Sequence, residues 1–222
     1  MPIVLAQSLV LAAAGLFSVG SITIIILLLM SEQGLRNGLA YLLGYVGGYM
    51  LIGLAVVLVG YRVAENSSGE SSRFMPLLFV ILGLLLLFLA QRNWRQPPAK
   101  NSENPRLLML VDKITPPKAL ALGALVTVIN FKNLALFLSA VSIPLLSELP
   151  LPAKMIIVSL DALVFCAAVI LPVLVYILFP TRSDQFLNGI KRALERHSRP
   201  IGIWLPLIFG LLFLIRGISG LL

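Results

Sequence analysis

Residues 127–137 read TVINFKNLALF, a run in which Lys132 stands between Asn130 and Asn133 inside an otherwise apolar segment. An ammonium group in hydrocarbon costs about 2.5 kcal/mol or more, and such charges usually line a pathway. Thr127, Asn130 and Asn133 surround it with hydrogen-bonding side chains, and two amides flanking a lysine are hard to satisfy against lipid. A second polar cluster, Ser18, Ser21 and Thr23, lies within the first apolar run. Together these residues offer recognition of a polar or anionic group by a cation, amides and hydroxyls. The competing reading is structural: the lysine snorkels to the headgroups and the hydroxyls join helices.

Helical rise places Lys132 about 21 Å beyond Lys118, and Asp161 about 10 Å beyond Lys154 from the other face. Both reach a similar layer, so the depth permits an ion pair. Asp161 reads either as an ion-coupling site or as the counterion of Lys132. Arg216, near the outward end of the last apolar run, competes for the same carboxylate or anchors its helix at the interface.

The elements that must position these residues are set by composition. Of 222 residues, 59% are hydrophobic and 12% charged, with a mean hydropathy of +1.01, far from the balance of a soluble domain. The net charge of +8 lies in short loops without interleaved aromatics, which argues against a nucleic-acid partner. The single cysteine, Cys166, excludes an intramolecular disulfide and a thiol pair. No phosphate-binding glycine loop, nucleophile elbow or histidine-acid cluster occurs, so no enzyme activity, catalytic residue, cofactor or metal is expected. One intramembrane carboxylate and one thiol are also too few for selective metal transport.

Six segments are apolar and long enough to cross about 30 Å of hydrocarbon as helices: Ile3 to Met30, Leu39 to Tyr61, Phe74 to Gln91, Ala119 to Val141, Met155 to Phe179 and Ile201 to Leu221. The first has no basic residue ahead of it and runs on past Ala12 to Ala14, which favours a retained span over a cleaved signal. It is longer than a straight crossing needs, so it tilts, breaks near Ser18 to Ser21, or begins along the surface. Arg36, the loop from Arg92 to Lys118, and the loop holding Arg182, Lys191, Arg192, Arg196 and Arg199 share one side; the other has only Arg62, Arg73 and Lys154 in its loops. The positive-inside rule then puts both termini outside the cytoplasm. Residues 183–200 and 106–117 read as amphipathic connectors resting on anionic headgroups, with His197 solvated among arginines. In the second span, Gly44 and Gly48 form a close-packing face, and Tyr41, Tyr45 and Tyr49 form a stripe that reads as interfacial or packing before it reads as pathway.

Laying the fourth span on the first aligns SVGSITII with TVINFKNL, Ser18 on Thr127 and Ser21 on Asn130. Three spans per half force the halves into opposite orientations, the arrangement of inverted-repeat transporters. The expected organisation is therefore a single all-α transmembrane domain: repeat one over 1–91, a basic cytoplasmic loop over 92–118 and repeat two over 119–222.

On SVGSITIIILLL, GLAYLLGYVGGY, the long basic central loop and LVDKITPPKALALGALVTVINFKNLAL, the chain resembles the GAP or Sap (glycolipid-addressing) proteins of the LysE-type exporter superfamily. Members typically carry prolines where Val19, Ser21 and Phe131 stand here, so the usual cause of a helix break is missing. The resemblance implies membrane export or translocation of small or lipidic molecules, and Lys132 read as a cation facing a cavity would suit an anionic one; the expected location is a multi-pass position in the cell (inner) membrane. The alternative is a non-transporting accessory subunit of a membrane complex, and a polar cavity containing Asn130 and Lys132 would separate the two. The sequence also admits a homodimer.

The charge asymmetry generates a direct test of topology. Single cysteines near Ser102 and Ser183 are expected to be shielded from an impermeant thiol reagent in intact cells, and one near Ser68 to react. Labelling at Ser102 from outside would reverse the orientation.

Overall fold

The computed structural model describes residues 1–66, 74–95, 114–179, 189, 203–204, 207–215 and 217–220. All its regular elements are helical: α1 (Pro2–Ala12), a 3₁₀ turn (Ala13–Phe17), α2 (Val19–Leu29), α3 (Gly34–Asn66), α4 (Phe74–Arg95), α5 (Pro116–Ile129), α6 (Phe131–Leu146), α7 (Leu151–Leu178) and α8 (Leu207–Ser219). The amphipathic connectors, Arg216 and most of the basic central loop lie outside the described residues.

Two helices, α3 and α7, are long and apolar enough to cross a membrane unbroken. Two further candidates are bent pairs: α1 with α2, at 59°, and α5 with α6, at 73°. α4 and α8 contribute shorter apolar stretches. Large apolar side chains face outward around the bundle, among them Ile3, Leu43, Leu51, Val59 and Phe131, each more than half exposed. Such a belt is stable only against hydrocarbon, so this is a helical membrane protein.

The order of contacts fixes the direction of the bent pairs. Along α3, Gly44 lies against Leu120, Gly48 against Thr127, Gly53 against Phe137 and Gly60 against Leu145. α5 and α6 therefore advance together in the direction of α3 and do not fold back. Along α7, Gly15 lies against Phe165, and Gly34, where the chain enters α3, lies against Tyr176. The α1–α2 pair thus runs with α7, opposite to α3.

The α3–α5 contact is backbone on backbone. A Cβ on Gly44 would overlap the carbonyl of Leu120 and stand 3.0 Å from Ala124 N; one on Gly123 would overlap the carbonyl of Tyr41 and stand 2.9 Å from Tyr45 N. Small residues drive this approach because lipid supplies no hydrophobic penalty for leaving helices apart, so dispersion over a close contact must hold them together. The same face carries Thr127, whose Oγ1 would be 2.7 Å from a Cβ on Gly48.

Lys154, read above as a loop residue, is instead buried in the first turn of α7. Its Nζ donates to Leu145 O at 2.8 Å and lies 5.8 Å from the centre of the Tyr61 ring. A cation on the last carbonyls of α6 satisfies orphaned acceptors and complements the helix dipole.

Gly44→Val is expected to destabilise the protein by about 1–3 kcal/mol through overpacking. Gly47→Ala, whose Cβ meets nothing within 4 Å, should be neutral or stabilising by up to about 1 kcal/mol. Thermal unfolding in lipid nanodiscs measures both, and equal effects would show that the α3–α5 contact does not depend on glycine.

Candidate functional site

Both bent pairs break at a polar residue with the same backbone conformation. Ser18 has φ −79° and ψ 70°, and Asn130 has φ −79° and ψ 73°. These values are those of an inverse γ-turn, which proline-free sequence can adopt. Each residue is the N-cap of the half-helix that follows: Ile22 N donates to Ser18 O at 3.1 Å, and Leu134 N to Asn130 O at 2.9 Å. Sharp breaks thus form here without the prolines typical of similar proteins. By backbone conformation Ser18 matches Asn130, one helical turn from the Thr127 it was laid on in the sequence.

The breaks meet inside the bundle. Asn133 Nδ2 donates to Ser18 Oγ, and Ser18 Oγ donates to Ser21 Oγ at 2.9 Å. Asn130 Oδ1 accepts from Asn133 N at 3.3 Å. The helices α2 and α6 run in opposite directions, so two helix N-termini converge on one layer, each with backbone donors unmet by its own helix. Ser18, Ser21 and Asn133 are no more than 3% exposed. The hydroxyl of Tyr45 faces all three and that of Tyr41 faces Ser21, neither closing a hydrogen bond.

The other expected site residues are distributed around this junction. Lys132 is half-buried, in the first turn of α6, and makes no ion pair among the described residues. Together with two helix N-termini it gives this layer a positive potential that suits an anionic group. Thr127 is buried in the last turn of α5 but spends its hydroxyl on Ala124 O at 2.7 Å. Thr23 lies one turn into α2 and is half-buried. Asp161 is fully buried on α7, beside Ser8 of α1, with neither oxygen hydrogen-bonded. It does not pair with Lys132: the two charges reach comparable depth, but α7 turns its carboxyl toward α1.

Three features go beyond what the sequence could decide. Of the interfacial and packing roles expected for the tyrosines, packing holds: they are fully buried and form an aromatic column with ring centres 5.9 Å apart for Tyr41 and Tyr45 and 5.1 Å for Tyr45 and Tyr49. Their four-residue spacing was the visible signal, but only the neighbouring helices decide which way the stripe faces. The second is the buried Lys154. The third is a cavity of about 820 Å³ between α1, α4, α6 and α8, lined mainly by Val10, Leu11, Phe79, Leu146 and Phe213, with Gln7, Ser142 and Ser219 as its polar members. It lies at the end of the bundle opposite Lys118, and none of the expected site residues lines it.

The family described as Sap, sulfolipid-1-addressing protein, matches residues 9–219. No curated protein and no solved structure matches. The match takes in both breaks, both long helices and most of the cavity lining, and the chain belongs to the Sap, sulfolipid-1-addressing protein, family.

Proposed function

We propose that this protein is an exporter of an anionic lipid in the cell (inner) membrane, built as six spans in two inverted three-helix repeats with both termini outside the cytoplasm. The observation that carries this reading is the apolar cavity of about 820 Å³, large enough for the chains of a lipid and placed where the first broken pair begins and the second ends. The family's description, which names a sulfolipid, agrees with an anionic headgroup. Matching breaks at Ser18 and Asn130, on pairs that run in opposite directions, support an inverted repeat of LysE type, and the loop charges support the orientation.

In this reading the lipid's chains occupy the cavity while its headgroup is drawn to the layer of Lys132 and the two helix N-termini. The inverse γ-turns at Ser18 and Asn130 are the hinges. Each is a single residue whose two torsions can change without disturbing the flanking helices, so half-helices can swing and alternate the access of the junction.

One observation favours a second reading, that of an accessory subunit. The junction is filled, with Ser18, Ser21 and Asn133 buried against one another, and the cavity does not include Asn130 or Lys132. A static polar staple between helices would look the same.

Vesicles containing the purified protein and fluorescent short-chain lipids separate the readings. An exporter moves lipids with an anionic headgroup faster than phosphatidylcholine, and Lys132→Met lowers that rate about tenfold or more by removing a charge-assisted contact. Val10→Trp, on the cavity wall and 70% exposed, should insert normally and block movement of every lipid. Wild-type protein that moves no lipid, with unaltered stability in Lys132→Met, would leave the accessory role.

A further inference from the structure

The helix α3 carries a row of buried oxygens, two of which, on Tyr41 and Tyr45, face the junction of Ser18, Ser21 and Asn133 without closing a hydrogen bond. Asn37, Tyr41, Tyr45 and Tyr49 follow one another at intervals of four residues, which places them on one face. All are at most 1% exposed. Asn37 donates through Nδ2 to Ile114 O at 2.9 Å and to Ser31 Oγ at 3.3 Å, but its Oδ1 has no hydrogen bond, nor has any of the three tyrosine hydroxyls. Buried polar atoms are nearly always paired, so four successive orphans on one stripe require an explanation. From Asn37 to Tyr49 the row rises about 18 Å, more than half of the hydrocarbon thickness.

The row ends in the same layer of the bundle as Asp161. Tyr49 packs on Phe165 at 4.8 Å between ring centres, and Gly53, one turn further along α3, meets Val158. Because α7 runs opposite to α3, Asp161 falls between these two contacts, about one turn beyond Tyr49. Its own oxygens are the remaining orphaned side-chain atoms among the described residues. From α1 it faces Ser8, whose hydroxyl is committed to Leu5 O at 3.1 Å. From α3 the titratable group in this layer is Tyr49, and α7 itself carries Cys166 one turn on and Lys154 two turns before, the latter held by Leu145 O. No cation among the described residues pairs with it.

We propose that Asp161 exchanges a proton with the Lys118 end of the bundle along the oxygens of Asn37, Tyr41, Tyr45 and Tyr49. A tyrosine hydroxyl both donates and accepts, so a file of them, bridged by transient water, passes a proton from aqueous solution to the carboxylate and returns it by the same route. Phe137 and Phe165, in contact with Tyr49 at 4.9 and 4.8 Å between ring centres, form an apolar collar around the last step. The inference depends on the exporter reading only for what the proton drives, which is lipid movement; the exchange itself is independent of it.

Infrared difference spectra of the protein in lipid films, stepped between about pH 5 and about pH 9, test the exchange. A protonated-carboxyl band should vanish and return with pH in the wild type, be missing in Asp161→Asn, and reappear displaced in Asp161→Glu. Tyr41→Phe with Tyr45→Phe keeps both rings and should slow the change at least about tenfold. A band that ignores pH throughout, or one that responds as fast in the double variant as in the wild type, overturns the proposal. Proton exchange without lipid movement would remove the exporter reading alone, and lipid movement with a pH-invariant carboxyl would remove this inference alone.

Discussion

Everything at the centre of this protein follows from two helices that stop and restart inside an apolar bundle. A helix N-terminus leaves backbone donors without partners, and hydrocarbon offers none. The chain answers with side chains from the break itself. Asn130 caps its own half-helix, its Oδ1 accepting from Asn133 N, and Asn133 Nδ2 bonds across to Ser18 Oγ, so the side chains of the two breaks are joined.

That junction requires the surrounding helices to come close and stay there. Gly44 and Gly123 bring α3 and α5 to backbone contact, and Gly15 lets the 3₁₀ turn rest directly on Phe165. With those approaches set, the tyrosine face of α3 has only one place to go, inward between α2, α6 and α7. The aromatic column is thus a consequence of glycine packing as much as of tyrosine spacing. It fills the interior with rings that pack as hydrocarbon while leaving hydroxyls unpaired, a combination that suits a passage for protons better than one for lipid.

The apolar cavity and the positive layer are consequently separated. The cavity lies toward the end opposite Lys118 and is walled by apolar residues of α1, α4, α6 and α8, whereas the positive layer of Lys132 and the helix N-termini sits deeper, at the breaks. Lys154, clamping the end of α6 to the start of α7, keeps the wall of that cavity from fraying.

The sequence by itself determined the class of the protein. Apolar runs of membrane length, glycines at helical spacing and an asparagine–lysine cluster in hydrocarbon made a helical membrane protein with a polar centre legible, and the motifs made its family legible. Ser18, Ser21, Asn130 and Asn133 were recognisable because buried polarity in a membrane helix is costly wherever it occurs. What only the tertiary structure decided were the pairings. The Asp161 carboxyl turns to Ser8 and not to Lys132, Lys154 caps a helix, and the cavity forms where four helices diverge, because depth along a helix is set by residue number while azimuth is set by which neighbours pack against it. The breaks themselves lay between these limits: polar residues marked where they occur, but without proline nothing local requires the chain to bend there, and the bond from Asn133 to Ser18 joins residues 115 positions apart.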